Sequence, residues 1–194
     1  VERFNHYFEN HIAKIVDLDS ATIIDYYNPD YGLMYNLRFT FDKKNCTLSI
    51  YGDFGDLIAH NFYNLGDYRK TYEHFCGNPS YFVEKITSSS RNIYTYDYEE
   101  AKSFILERLL SDDDENKEEI SEKISELLEY FSDRQGFQHI SDESREWLSS
   151  YDSDYWEWIG YAGKNVSNII YLYLDAYRRA YEYLTLEEEN NGSA

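Results

Sequence analysis

The chain of 194 residues is 42% hydrophobic and 28% charged, which is enough to bury a sizeable core in one domain and excludes a disordered chain. Its formal charge of −19, from 37 acidic against 18 basic residues, is repelled by nucleic acid and anionic membranes and attracted to basic proteins. No apolar run reaches the roughly 18 residues that a membrane span requires, and Val1-Glu2-Arg3-Phe4 lacks a charged-then-apolar signal pattern, so a cytoplasmic protein without membrane or direct nucleic-acid contact is expected.

From the N-terminus, Phe4, Tyr7, Phe8, His11, Ile12, Ile15 and Val16 follow the spacing of an amphipathic helix, with His11 on its apolar face as a satisfied core or boundary histidine. Asn28-Pro29-Asp30 is a turn. Leu33, Tyr35, Leu37, Phe39 and Phe41 alternate with polar residues, the period of a half-buried strand. Asp42 to Asn45 makes a hairpin turn, and Cys46, Leu48 and Ile50 mark the return strand. A second turn at Gly52 to Asp56 leads to a third strand, Leu57 to Tyr63. Helices are then expected from Asp67 to Phe75 and from Pro79 through Ile86, because proline is tolerated at a first helical position. Ser88-Ser89-Ser90 reads as a loop and Asn92 to Tyr96 as a short fourth strand.

The remainder reads as helical. Tyr98 to Leu110 turns Ala101, Phe104, Ile105 and Leu109 inward. Ser111 to Asp114 breaks that helix and caps the next, which runs from Glu115 to Phe131. Asp142 to Tyr151 adds a short helix. The last begins near Asn165, with Val166, Ile170, Tyr173, Leu174, Tyr177, Tyr181 and Leu184 on one face, and frays beyond Glu187. The expected class is α+β: an antiparallel meander of three or four strands packed by helices, with a helical C-terminal half. The expected division is a sheet-containing region over 1–110, an acidic helical region over 111–187 and a tail over 188–194, the first two forming one compact unit.

Enzymatic signatures are missing. Asp53-Phe54-Gly55 is turn chemistry, without a glycine-rich phosphate loop or catalytic segment elsewhere. His74 and Cys76 are two apart with no second ligand pair. Asp112-Asp113-Asp114-Glu115 lacks the glycine and distal glutamate of a calcium loop. No carboxylate pair stands out as an acid/base dyad. The two cysteines, Cys46 and Cys76, are expected as reduced thiols. The chain is therefore expected to be no enzyme and to need neither metal nor cofactor.

What does stand out is where the negative charge lies. Residues 111–157 hold 16 acidic and 4 basic side chains, a net of −12, against −5 for residues 1–110 and −2 for 158–194. Within that stretch Glu115, Glu118, Glu119, Glu122, Glu126, Glu129 and Asp133 fall within roughly 60° of one line on a helix, opposite Ile120, Ile124, Leu127, Leu128 and Phe131. Over a rise of roughly 27 Å this places a carboxylate about every 4–5 Å, against ~3.4 Å per phosphate of one DNA strand. Exposed helices ordinarily mix lysine four residues from glutamate, because like charges there destabilise. Here only Lys117 and Lys123 are at hand, and both are expected to point away from the stripe's centre. Asp152, Asp154 and Glu157, interleaved with Tyr151, Tyr155, Trp156 and Trp158, form a second acidic patch with aromatic anchors, unless the tryptophans are core.

The run Cys46 to Asp56, with Tyr81 to Ile86 and Asp154-Tyr155-Trp156-Glu157-Trp158, resembles a family of uncharacterised acidic proteins of phages and mobile elements, over roughly residues 30–180. The resemblance implies a setting rather than catalytic residues: small acidic phage proteins of anti-CRISPR or anti-restriction type often mimic DNA or block a DNA-binding cleft. The expected function is inhibition of a host defence protein by occupying its basic nucleic-acid groove, in the host cytoplasm. The alternatives are an adaptor binding through a Tyr/Trp-rich surface and an enzyme with a small-molecule pocket.

Overall fold

The structure, a computed structural model, describes residues 3–32, 34–110 and 117–192. It is an α+β protein whose chain forms two compact units: one comprises residues up to Ile93 together with those from Val166 onward, and the other, Tyr94–Asn165, is inserted between them. Among the described residues no helix is long and apolar enough to cross a membrane.

The first unit is built on a six-stranded antiparallel meander in the order β1-β2-β3-β4-β5-β6, with β1 Ile12–Asp17, β2 Ala21–Tyr27, β3 Leu37–Asp42, β4 Thr47–Gly52, β5 Leu57–His60 and β6 Ile86–Ser89. Successive side chains of a strand alternate faces. The register Ile24↔Phe39, Phe39↔Ile50 and Ile50↔Leu57 therefore lines four apolar residues into one buried row. The next row on the opposite face is polar, Lys14–Asp25–Arg38–Tyr51, and there Arg38 Nη2 donates to Asp25 Oδ2 at 2.8 Å.

The apolar face is covered by α7, Asn168–Gly192. Tyr177 packs 5.2 Å from Phe39 and 5.6 Å from Phe41 between ring centroids. Buried tyrosines need a partner for the hydroxyl: Tyr177 donates to the Tyr68 carbonyl and Tyr173 to that of Phe54 at 3.2 Å. Two short helices border α7. In α2, Tyr68–Phe75, Asp67 caps the amides of Arg69 and Lys70. In α3, Pro79–Val83, Asn78 caps that of Tyr81. Such caps contribute about 1 kcal/mol each.

Several expected elements differ. The N-terminal helix is confined to α1, Asn5–Phe8; Asn10, with φ +58°, turns the chain, and Ile12–Asp17 continues as strand β1. His11 is buried, its ring nitrogens 3.3 Å from Glu9 O and 3.2 Å from Tyr35 O. β1, β2 and β6 bring the meander to six strands, β6 taking Ser88 and Ser89 out of their expected loop, while the expected strand at Asn92 to Tyr96 lies in a separate two-stranded sheet. Leu33 lies outside the described residues. Asn165 belongs to β8, Lys164–Val166, so the last helix begins three residues later, and it extends to Gly192.

The partition also differs from the expected one, because β7, Tyr94–Tyr96, and α4, Tyr98–Leu109, belong to the inserted unit whereas α7 belongs to the sheet. β7 pairs with β8 at the two ends of the insertion. Asp97 N donates to Gly163 O at 2.8 Å. Gly163 has φ +67°, and a Cβ there would stand 2.2 Å from Asp97 O, so the closure demands glycine. The core of this unit joins Ala101, Ile105 and Leu109 of α4 to Ile120, Ile124, Leu127 and Leu128 of α5, Lys117–Leu128. Leu148 of α6, Asp142–Tyr151, and Trp158, Ile159 and Ala162 complete it.

Candidate functional site

The inserted unit carries the charge. Residues 94–165 contain 20 acidic and 7 basic side chains, a net of −13, whereas the longer remainder contains 17 and 11, a net of −6. Burying Ile120, Ile124, Leu127 and Leu128 against α4 forces the other face of α5 outward. Glu118, Glu119, Glu122 and Glu126 are exposed on it, as is Glu129 just past its end. These five span about 16 Å at 1.5 Å per residue.

Asp133, the last member of the predicted stripe, falls elsewhere. α5 ends at Leu128, and i to i+3 hydrogen bonds from Glu129, Tyr130 and Phe131 tighten its last turn. Asp133 lies beyond it, exposed in a turn closed by Ser132 and Gly136. Glu115 lies outside the described residues.

Lys123 does not point away from the carboxylates. Its Nζ lies 2.8 Å from Glu126 and 3.6 Å from Glu143 of α6, and the Glu126 hydrogen bond raises its pKa. The repulsion that the sequence leaves uncompensated is thus offset at one point by a lysine between two helices. Lys123, Glu126, Glu129, Tyr130, Glu143 and Trp147 surround a groove of about 260 Å³. That is below the ~300 Å³ at which small-molecule sites begin, and suits a single side chain.

The second patch resolves into two kinds of residue. Asp152 is half-buried: Oδ2 accepts from Trp158 Nε1 at 2.8 Å and Oδ1 from the Asp154 amide at 2.9 Å. Those bonds, the indole's first, hold its carboxyl below the ordinary range. Each oxygen accepts one bond from the turn, so Asp152 ties the patch to the buried indole while keeping its negative charge. Asp154 and Glu157 are exposed. Trp158 is core, 5% exposed, whereas Trp156 is 65% exposed.

Elsewhere, a groove of about 590 Å³ on the polar face of the sheet is lined by Lys14, Asp25, Tyr27, Arg38, Tyr51 and Asp53, but Arg38 already occupies the Asp25 carboxylate. Burial pushes the Cys76 thiol up to about 12, which suppresses the reactive thiolate. Among the described residues no group of three or more His, Cys, Asp or Glu could hold a metal ion.

Two features escape the sequence. The split between Trp156 and Trp158 has no periodic signal, and the Lys123–Glu143 contact joins positions twenty apart; only the Lys123–Glu126 spacing could have been read. No family model, curated protein or solved structure matches the chain.

Proposed function

We propose that this protein is an acidic inhibitor of phage type, whose inserted unit binds the basic nucleic-acid groove of a host defence protein such as a CRISPR effector or a restriction enzyme. The observation that carries the reading is the exposed row Glu118, Glu119, Glu122 and Glu129 on a unit of net charge −13. A surface of that sign steers toward a basic cleft and repels nucleic acid itself. With Glu126 included, the row sets a carboxylate about every 4 Å at helical rise, comparable with ~3.4 Å per phosphate along a DNA strand. The site as read needs neither cofactor nor metal, and catalysis forms no part of the reading.

The test is competition. With the full chain bound to a partner captured by pull-down from a host lysate, excess duplex or guide-length nucleic acid should displace it, and the chain should block nucleic-acid binding in return. Simultaneous binding of both would refute occupancy of the groove. The adaptor reading keeps one observation on its side: Phe62 and Tyr63, 77% and 80% exposed in the loop after β5. Binding that survives reversal of the acidic row but is lost in Phe62→Ala/Tyr63→Ala would favour it.

A further inference from the structure

We infer that Trp156 is the anchor of this surface and that the group it takes from the partner is the guanidinium of an arginine. The inference rests on the acidic-face reading above and adds to it the residue and the chemistry of contact.

Trp156 and Trp158 are two positions apart and meet opposite fates. Trp158 closes the core beside Phe104 and Ile159, while the Trp156 indole stands in solvent. The backbone beneath Trp156 is fixed. Trp156 sits in the middle of the first of two successive 3-10 turns, Tyr155–Glu157 and Ile159–Tyr161, which are closed by Glu157 N to Asp154 O at 2.9 Å, Trp158 N to Tyr155 O at 3.2 Å and Tyr161 N to Trp158 O at 2.9 Å. Asp152 ties the start of the segment to the buried indole of Trp158. A large aromatic held on an ordered backbone loses little entropy when a partner covers it, which is how interface anchors act.

The neighbouring groups select the ligand. Asp154 and Glu157, both exposed, flank Trp156 in the chain, so one side chain that both stacks on an indole and donates to a carboxylate is satisfied there. Arginine does both at once, with a planar guanidinium that is weakly hydrated; the compact, strongly hydrated ammonium of lysine exchanges one contact for the other. The unit already uses this pairing internally: the Arg108 guanidinium lies 5.0 Å over the Trp158 ring. Arginine-rich faces are also what proteins present to phosphate backbones, so the same chemistry marks the groove proposed above.

The experiment titrates the full chain with nona-arginine and nona-lysine, two peptides of equal charge, at low salt. The wild type should bind nona-arginine about tenfold more tightly, the size of one well-placed cation–π contact. Trp156→Ala, on an exposed side chain, should retain the wild-type circular dichroism. It should erase that preference while leaving nona-lysine affinity within about twofold, since lysine gains little from the indole. Equal affinity for the two peptides in the wild type, or a preference that persists in Trp156→Ala, overturns the inference. Glu122→Lys/Glu129→Lys separates the two readings. If it weakens both peptides while Trp156→Ala alters neither, the acidic face stands and the anchor falls; if it weakens neither, the acidic face itself fails.

Discussion

Reversing Glu122 and Glu129 to lysine is the substitution pair the structure singles out. Both are exposed, and the buried residues of α5 lie on its other side. Glu118 and Glu119 occupy the first turn of α5, where negative charge complements the helix dipole, and Glu126 holds Lys123; all three are best left alone. A lysine at 122 then stands four residues after Glu118 and four before Glu126, and one at 129 stands three after Glu126. Each such pair replaces a repulsion with an attraction of about 0.2–0.5 kcal/mol. A lysine just past the end of α5 also suits the dipole. The folded state should therefore gain about 1 kcal/mol, which for a chain of this length raises a melting temperature by about 2–4 °C.

Binding should move the other way. A unit charge 4 Å from its partner in high dielectric is worth about 1 kcal/mol, so reversal swings each contact by about 2 kcal/mol. That is roughly 30-fold per site and on the order of a thousandfold for both, shrinking as salt shortens the screening length toward ~8 Å. Thermal unfolding by circular dichroism and titration against the captured partner at low salt measure the two effects. A variant as stable as the wild type that binds within about threefold of it would refute the reasoning.

Leu127→Ala removes a fully buried side chain between α4 and α5 and should cost about 2–5 kcal/mol; hydrogen exchange should then speed first in those helices. Asp152→Ala should destabilise the inserted unit at neutral pH. The depressed carboxyl pKa contributes stability above its unfolded value, near 3.8, and loses it as pH falls through the folded one. The deficit relative to wild type, followed by tryptophan fluorescence, should be full at neutral pH and vanish in acid; a deficit unchanged at low pH would contradict the assignment. Cys76, with its thiol at about 12, should resist alkylation at pH near 8 in the native state and label only on unfolding, as mass spectrometry of the modified peptide can show.

Much of the fold was legible because its periods are simple. The alternation through Phe39, Phe41, Leu48 and Ile50 is the buried face of the meander, and the i, i+4 spacing of Ile120 and Ile124 fixes which side of α5 faces water. The N-terminus misled because Ile12, Ile15 and Val16 fit a helical face as well as a strand. Two β-branched isoleucines and a valine in five residues favour the strand, and the left-handed Asn10 makes the break. β2 carries its alternation openly in Thr22, Ile24 and Tyr26, beside a turn that drew attention away from it.

The insertion was not legible, since it is defined by contacts such as Asp97 with Gly163, which no local pattern encodes. The acidic patch was visible as charge density. Its geometry was not: Lys123 reaches a carboxylate on another helix, and Asp152 turns inward to an indole.

A carboxylate footprint of the complex reads directly whether the α5 row meets the partner. Carbodiimide-driven labelling of the full chain, free and bound to its captured partner, reports which acids the partner covers. Glu118, Glu119, Glu122, Glu129 and Glu157 should be protected, with labelling of exposed acids of the sheet unit such as Asp30 and Glu73 unchanged. Protection confined to the sheet unit, with the α5 row labelled as in the free protein, would contradict the acidic-face reading.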